Sequence, residues 1–541
     1  MDASAHIDTG RRVAELLGEY GAADLSLAEA LCDRHPPADV AFTVVESTGE
    51  AADLTFGTLA ERSRRLATAL ERIGVRPGDR VASLMPKSAD LAVTVLAIWR
   101  CGAVYVPLFT AFAAPAVAMR LDASEAKAIV VDAGQRAKLG PGTRAVITAG
   151  GPGRPGDLAF DDLVEESEPQ RHPARLGGAA PFVRLFTSGT TGDPKGVVIP
   201  ARALGSFVAY QEFGLDVRPD DVFWNAADPG WAYGLYYALC APLATGRRSV
   251  LLHAPFSPAL TYRVLERLGV TNFAAAPTVY RALRAHERED AAPLALRRCS
   301  SAGEPLGPDV VAWARAAFGV PVHDHYGQTE LGMAVGNGHH PAIAAPLKPG
   351  SMGRAMPGWS VAILRENGET PAVPREPGRV AVDLRESPFM WFEAYADAPE
   401  RTAERFIGDR WYLTGDAGTI DADGYVFFSS RDDDVIIMAG YRIGPFDIES
   451  VLHEHPAVAE SAAIGVPDDV RGEVVEAFVV LRGGAVASPE LAADLQRHVK
   501  ERFAAHAYPR TVHFIDELPK TPSGKIQRYV LRERRRTEIA T

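Results

Sequence analysis

Residues 185–196 read LFTSGTTGDPKG. Glycines that free the backbone, hydroxyls and one lysine are the groups that wrap phosphate oxygens. An ordinary nucleoside-triphosphatase loop needs four residues between a glycine and a Gly-Lys-Ser/Thr triplet. Here Pro194 precedes Lys195, and Gly196 stands where a magnesium-binding hydroxyl belongs. The stretch suits phosphate but not the usual transfer of a γ-phosphoryl group. Four further stretches carry acids, hydroxyls, glycines or an isolated lysine in close spacing. They are SSAGEPL (300–306), HYGQTELGM (325–333), WYLTGDAG (411–418) and PKTPSGKIQR (519–528).

Taken together, in this order, the five stretches resemble the adenylate-forming enzymes, a superfamily of acyl-CoA synthetases, nonribosomal adenylation domains and firefly luciferase. The resemblance runs from Phe56 to Arg534. It is nearest to the acetyl- and medium-chain acyl-CoA synthetases, through YGQTE and AGYRIGPFDIE. It implies a two-step reaction on ATP, Mg2+ and coenzyme A: a carboxylate attacks the α-phosphate and releases pyrophosphate, and a thiol then displaces AMP from the acyl-AMP. The opening loop then has to follow a departing pyrophosphate, with Thr187, Ser188, Gly189, Thr190, Thr191 and Lys195 as its contacts.

The same resemblance implies the other roles. Thr329 contacts the α-phosphate, and Glu330 holds Mg2+, a hard cation that takes oxygen ligands. Gly303, Glu304 and Pro305 form the turn against the adenine, Tyr326 stacks on it, and Asp324 and Gly327 flank it. Asp416 and Arg431 take the ribose hydroxyls. Lys525, on a loop whose glycine permits close approach, reaches both the carboxylate and the α-phosphate and is the catalytic lysine. Asp433 is the hinge, and Gly440 and Arg442 line the path of coenzyme A. Trp231, Tyr233, Gly234 and Gly327 border the acid. The sequence departs from the superfamily pattern at Ser430, where a glycine is usual, and at AHAYPR, where a basic-tyrosine stretch is usual.

The elements that position these residues are α/β in type. Leu59, Leu66, Leu70 and Ile73 recur at helical spacing, with Gly74 as a C-cap. RVASLM is a buried strand, residues 89–99 a second helix, and AVYVPL a short strand, a pattern that builds a mostly parallel sheet. FVRLF then runs into the phosphate-type loop and sets it at a strand's carboxyl end, where open α/β sheets bind ligands. Residues 149–178, rich in glycine and proline, read as a surface excursion. SSRDDDV (429–435) reads as a linker. After it, a helix over 445–453, the strand EVVEAFVVL, a helix bearing Leu491, Leu495, Val499 and Phe503, and the strand TVHFI make a compact α+β unit, and the basic last dozen residues read as frayed. The expected organisation is a large, multi-subdomain α/β domain with parallel-rich sheets over 1–430, joined by a hinge to a small α+β domain over 431–541.

Length and composition set the limits. A chain of 541 residues is too long for one core. Its net charge of −12 argues against a nucleic-acid or anionic-membrane surface, so an anionic substrate needs a local cationic pocket. Cys32, Cys101, Cys240 and Cys299 form no CxxC pair and read as small buried residues rather than zinc ligands or a disulfide framework. The polar start lacks the features of a signal peptide, and Arg100 and Gly102 break the most apolar span, so a cytoplasmic location is expected.

Two rivals to an acyl-CoA synthetase remain at this point. One is an amino-acid or aryl-acid adenylation enzyme that loads a carrier protein. The other is a catalytically silent binding homologue. The loop WNAADPGWAYGLYY lacks the aspartate motif that pairs a substrate amine, and resembles the acyl-CoA branch. PxxxxGK around Lys525 resembles the acetylation sites of related synthetases, which makes an acetyltransferase and a deacetylase candidate partners. Acetate-specific relatives carry tryptophan where this chain has Gly327, so the expectation is an open pocket floor and an acid larger than acetate: butyrate or longer, branched, or a flat aromatic such as benzoate. Gly327→Trp is expected to restore acetate preference.

Overall fold

The computed structural model describes residues 7–540, apart from 143, 188–194, 287–292, 305, 366–367, 432–433, 439–440, 469–470, 504–506 and 522–524, and without the side chains of 441, 442 and 540. Ser188, Gly189, Thr190, Thr191, Pro305, Asp433 and Gly440 therefore lie outside the described residues, as does the Arg442 side chain.

Two large sheets form the first part of the chain. One has nine strands, with a parallel core of Val322–Gln328, Arg298–Ala302, Asn272–Ala275, Phe223–Asn225, Ser249–His253 and Val40–Glu46. The other has eight, with Pro181–Thr187, Val104–Pro107, Arg80–Leu84, Ala128–Asp132, Ala145–Ala149 and Leu158–Ala159 all parallel. Strands buried on both faces carry continuous apolar runs, and AIVVD, with four buried residues in succession, is such a run. The carboxyl ends of the strands lead into residues 84–87, 107–109, 187, 226–231, 302–304 and 328–330, the ends at which open parallel sheets bind ligands.

The helix Ala89–Arg100 is apolar on every side, and all but its first two residues are buried. At 12 residues it is too short to span a bilayer. Arg100, which interrupts the apolar run, is fully buried and held by Asp33 at 2.6 and 3.0 Å and by Ser63 at 2.8 Å. Its charge is thus paired rather than exposed. The helix Phe56–Arg72 buries Phe56, Leu59, Leu66 and Leu70 and ends before Gly74, whose φ of +94° suits a residue without a side chain. The four cysteines are buried and unpaired.

A third, five-stranded sheet joins Val361–Leu364, Gly378–Asp383, Trp411–Ile420, Phe406–Ile407 and Val426–Arg431. A fourth, also five-stranded, is built from Tyr441–Ile443, Ile436–Met438, Gly472–Leu481, Val458–Asp468 and Thr511–Phe514, with Pro445–His453 and Pro489–Arg502 packed on it.

Two expectations are corrected here. The excursion at 149–178 contains a helix, Phe160–Glu166, because Phe160 and Val164 recur at i and i+4 and are buried. The basic tail is not frayed: Arg528–Ala540 is a helix. Arg528, Arg532 and Arg535 fall on one helical face. They meet Glu449 at 2.7 Å, Asp434 at 2.7 Å and Glu476 at 2.6 Å respectively, around the buried Leu531.

Candidate active site

The strands on either side of the phosphate-type loop, Pro181–Thr187 and Lys195–Pro200, are antiparallel neighbours, and Thr187 faces Lys195 in register. The Lys195 ammonium lies 4.9 Å from the centre of the Tyr395 ring. Burial and the guanidinium groups of Arg405 and Arg401 hold its pKa below the ordinary lysine value, against the pull of Glu330 and Glu404. Glu330 is buried, and one of its oxygens accepts from the Tyr395 hydroxyl at 2.7 Å. A buried carboxylate beside a lysine and an arginine is suited to a cation shared with phosphate oxygens. Tyr395 and Arg405 belong to this cluster, yet nothing in their local sequence marks them. They arrive by way of the short strand Tyr395–Ala396, which pairs with Val197 and Gly196.

Asp416 and Arg431 sit opposite one another on paired strands, with Arg431 Nε 3.2 Å from Asp416 Oδ1. The other oxygen of Asp416 accepts from the Tyr326 hydroxyl at 2.5 Å and from Gln328 Nε2 at 2.8 Å. Gln328 also donates to the Thr414 carbonyl, which fixes its orientation. Gln328 is a residue that sequence reasoning did not single out, although it lies inside the YGQTE stretch. The Glu304 carboxylate is tied to Arg281 at 2.7 Å and to Thr278 at 2.9 Å, leaving the backbone of Gly303 and Glu304 along the cleft wall. Asp324 is half-buried; its Oδ1 is shielded from solvent and has no hydrogen-bond partner, while the backbone amides of Leu306 and His325 support the carboxyl. Burial pushes its carboxyl well above the usual range. An unpartnered buried acceptor fits an exocyclic amine such as that of adenine.

Lys525 comes to this site from the far end of the chain. Its loop is closed by Thr521 N–H to the Lys525 carbonyl at 2.8 Å and by Gln527 N–H to the Pro519 carbonyl at 2.8 Å, and the Lys525 amide donates to Thr521 Oγ1 at 3.1 Å. Desolvation of the ammonium by the surrounding groups chiefly, then Arg431, holds its pKa below the ordinary lysine value, although the residue as a whole is solvent-exposed. Glu304, Asp416 and Glu330 oppose this. The lysine thus feels the charges of the ribose-type pair and of the buried Glu330 together.

The contact that holds the last sheet against this cleft includes another carboxyl. Asp447, in the first turn of Pro445–His453, accepts from the Ser429 hydroxyl at 2.8 Å, and the rings of Phe446 and Phe428 lie 6.0 Å apart. Burial raises the Asp447 pKa to about 6. A carboxyl raised in the docked state favours docking at low pH, and that preference is lost as pH rises through about 6. Asp447→Asn is expected to abolish this pH dependence. Proteolysis of the segment 429–447 from pH 5 to 8 checks it: protection should fall with pH in the wild type and stay level in the variant.

On the acid-binding side the structure brings Trp231 to Gly303, whose Cβ position would be 3.2 Å from the indole, and buries Tyr233 fully. Gly234 leaves no room for a side chain. A side chain there would meet the Asp228 carbonyl and lie 2.8 Å from Pro229 N, so the glycine serves a tight backbone turn. The same holds at Gly327. A Cβ at this position would overlap the Gly332 carbonyl and lie 2.8 Å from Met333 Cα, on the neighbouring antiparallel strand. In this structure the strand packing leaves no room for a side chain at Gly327.

His323, His325 and His339 bring ring nitrogens within 4.8 Å of one another. They are occupied otherwise. The Asn337 carbonyl accepts from His323 Nδ1 at 2.6 Å and His325 Nε2 at 3.2 Å, and the Cys299 carbonyl accepts from His339 Nε2 at 3.2 Å. A metal would have to use the opposite nitrogen of each ring, and that of His325, Nδ1, is already bonded to the Tyr210 hydroxyl at 2.6 Å. Burial lowers the pKa of His323 to about 4 and of His325 to about 3, which keeps the rings neutral.

Comparison with known proteins places this geometry among relatives. Residues 29–385 match the model of the AMP-binding enzyme family, and residues 447–525 match that of the AMP-binding enzyme C-terminal domain. Over 489 residues the chain is 37% identical to an acetyl-coenzyme A synthetase of Bacillus subtilis, covering 88% of this chain and 84% of that protein. The crystal structure of a Brucella canis acyl-CoA synthetase superposes with a TM-score of 0.76 at 44% identity, covering 99% of both chains. A benzoate CoA ligase from Burkholderia xenovorans superposes with a TM-score of 0.83 at 29% identity, covering 94% of this chain and all of the other, 100%.

Proposed function

Because this chain belongs to the AMP-binding enzyme family, we propose that it is an AMP-forming acid–CoA ligase that converts a carboxylic acid, ATP and coenzyme A to acyl-CoA, AMP and pyrophosphate. The observation that carries the reading is the position of Lys525. A lysine more than ninety residues beyond the ribose-type pair feels Asp416, Arg431 and Glu330 together. In this reading Asp416 and Arg431 hold the ribose, Asp324 and the 303–304 backbone hold the adenine, and Tyr326 orients Asp416. Lys195, Thr187 and Thr329 hold phosphate oxygens. Glu330 would hold Mg2+, which neutralises the leaving pyrophosphate. Lys525 brings the carboxylate oxygen to the α-phosphate and offsets charge as the bond forms.

The division at 430/431, with Asp433 as hinge and Gly440 and Arg442 along the thiol's path, belongs to the same proposal. The sheet after residue 436 would turn once acyl-AMP has formed. Acetylation of Lys525 by a protein acetyltransferase would remove the charge that the first step uses, and a deacetylase would restore it. We place the enzyme in the cytoplasm. No helix among the described residues is long and apolar enough to cross a membrane, and the four thiols are unpaired.

Pyrophosphate release over a panel of carboxylic acids, with and without coenzyme A, tests the assignment. AMP and acyl-CoA formed in equal amounts with coenzyme A is the expected result. Acid-dependent pyrophosphate exchange with no acyl-CoA would favour carrier-protein loading, and no acid-dependent turnover would mean a silent homologue.

A further inference from the structure

The chain carries a net charge of −12, so a polyphosphate must meet a local excess of positive charge. One such excess lies at the edge of the second sheet. Tyr395–Ala396 pairs there with Val197 and Gly196, the short helix Pro399–Ala403 follows, and the chain runs on into Trp411–Ile420 and Asp416. This path brings Arg401 and Arg405, both half-buried, close enough for their charges to act on Lys195. Nearby arginines have carboxylate partners: Arg184 meets Asp397 at 3.0 Å, Arg202 meets Glu393 at 2.6 Å and Arg410 meets Asp383 at 2.7 Å. Among the described residues, Lys195, Arg401 and Arg405 have no carboxylate within ion-pair distance. Three half-buried cations gathered without anions leave a place for an anion that comes from outside the chain.

Arg405 is fixed by shape rather than by a charge pair. Gly415, at φ +75°, leaves the space that the guanidinium fills: a Cβ there would overlap Nη1 and lie 3.2 Å from Cζ. The Leu413 amide donates to the Arg405 carbonyl at 2.7 Å and holds its backbone. The guanidinium borders the Tyr395 hydroxyl, which donates to Glu330 at 2.7 Å, and the Tyr395 ring lies 4.9 Å from the Lys195 ammonium. Across the site the order is thus Asp416, then Gly415 with Arg405, then Tyr395 with Glu330, then Lys195. Asp416 belongs to the ribose-type pair and Lys195 to the phosphate-type loop, so Arg405 stands between a nucleoside and its outer phosphates. An arginine present only to neutralise Glu330 would pair with it directly, yet Glu330 accepts from Tyr395 instead.

We propose that Arg405, with Arg401 beside it, is a catalytic residue of acyl-AMP formation that binds the pyrophosphate as it leaves. This rests on the acid–CoA ligase reading and adds a cation from outside the phosphate-type loop. In the step, a carboxylate oxygen bonds to the α-phosphorus, the bond from that phosphorus to the α–β bridging oxygen breaks, and its electron pair stays on pyrophosphate. No proton moves, so the charge that grows on the bridging oxygen must be met by cations already in place. A guanidinium presents a planar fork to two phosphate oxygens at once, which an ammonium does not.

The test compares wild type with Arg405→Gln, Arg405→Lys and Arg401→Gln in two assays: acid-dependent exchange of pyrophosphate into ATP at varied pyrophosphate, and reaction of supplied acyl-AMP with coenzyme A. Arg405→Gln should raise the KM for pyrophosphate and lower the rate of acyl-AMP formation, each by about tenfold to a hundredfold, the effect of losing a hydrogen bond between charged groups. The KM for the acid and the reaction of supplied acyl-AMP should stay near wild type. Arg405→Lys should restore part of the rate and less of the pyrophosphate affinity, since it keeps the charge and loses the fork. Arg401→Gln should raise the KM for pyrophosphate by less than Arg405→Gln does. Titration calorimetry with magnesium pyrophosphate and with AMP gives a readout apart from turnover: Arg405→Gln should weaken the first and spare the second. An unchanged KM for pyrophosphate in Arg405→Gln overturns the proposal, as does equal slowing of both half-reactions with a lowered melting temperature, the mark of a purely structural arginine. Should Arg405→Gln fail to fold, Arg405→Lys decides: a raised KM for pyrophosphate supports the proposal and an unchanged one overturns it. No acid-dependent exchange in the wild type removes the ligase reading itself, and this proposal with it. Exchange that wild type and all variants share equally removes only this proposal.

Discussion

Lys525→Ala is expected to lower the rate of acyl-AMP formation by at least about a hundredfold to a thousandfold, the cost of removing one preorganised charge from a developing transition state. It should leave the reaction of supplied acyl-AMP with coenzyme A near the wild-type rate. The argument is positional. The ammonium is held by a closed loop, from the Thr521–Lys525 pair to the Pro519–Gln527 pair, in the field of Arg431, Glu304, Asp416 and Glu330. Nothing but the first half-reaction needs a cation there, because pyrophosphate and its charge have left before the thiol arrives. A second consequence concerns pH. Desolvation of the ammonium and the charge of Arg431 lower the Lys525 pKa, so adenylation should decline on the alkaline side below the ordinary lysine range, as the ammonium loses its proton. Single-turnover assays of each half-reaction, run across pH, check both. Protein acetylated at Lys525 should behave as the alanine variant does. Equal slowing of both half-reactions by Lys525→Ala would show that the lysine serves both steps, and the proposed domain turn would lose its basis.

Much of this site could be read from the chain, because its chemistry is concentrated in short contiguous stretches. Glu330, Asp416 and Lys525 stand out in YGQTE, TGD and PSGK; Glu330 follows the strand Val322–Gln328, and Asp416 lies within the strand Trp411–Ile420. Groups reached by tertiary pairing could not be read. Tyr395 touches Glu330, and Arg405 lies close enough for its charge to act on Lys195, only because a two-residue strand joins the edge of the second sheet. No periodicity announces so short a strand. The basic tail could have been read as a helix: Arg528, Leu531, Arg532 and Arg535 carry the i, i+3, i+4, i+7 spacing of one face, and net charge obscured it. Behind Trp231, Tyr233 and Tyr237 share an i, i+4 spacing, but Tyr210 comes from a separate segment, and only tertiary packing brings the three rings together.

Gly327→Trp is expected to prevent stable folding rather than to close a pocket. In sequence comparison the position invites a pocket reading, since a bulky ring elsewhere and glycine here suggest space gained. The backbone decides otherwise. Val322–Gln328 pairs antiparallel with Gly332–Gly336, and the register shifts between Tyr326 and Gly327, which draws the Gly327 Cα toward the opposite strand. A Cβ would overlap the Gly332 carbonyl and stand 2.7 Å from its carbon. Those atoms are backbone, so no rotamer change relieves the overlap. Gly332 cannot retreat easily, because it is the residue that leaves room for the Tyr237 hydroxyl. Overpacking that side chains can absorb costs about 1–3 kcal/mol; displacing a paired strand should exceed that and approach the whole margin of a marginally stable fold. Even Gly327→Ala should destabilise, by about 2 kcal/mol or more, whereas a change at a true pocket wall would leave the melting temperature alone and alter only the choice of acid. Thermal melts of both variants, alongside an acetate-to-butanoate rate ratio, separate these outcomes. A Gly327→Trp protein with a native melting temperature and a new preference for acetate would mean that the strand at 332–336 can move aside, and the pocket floor would belong at Gly327 after all.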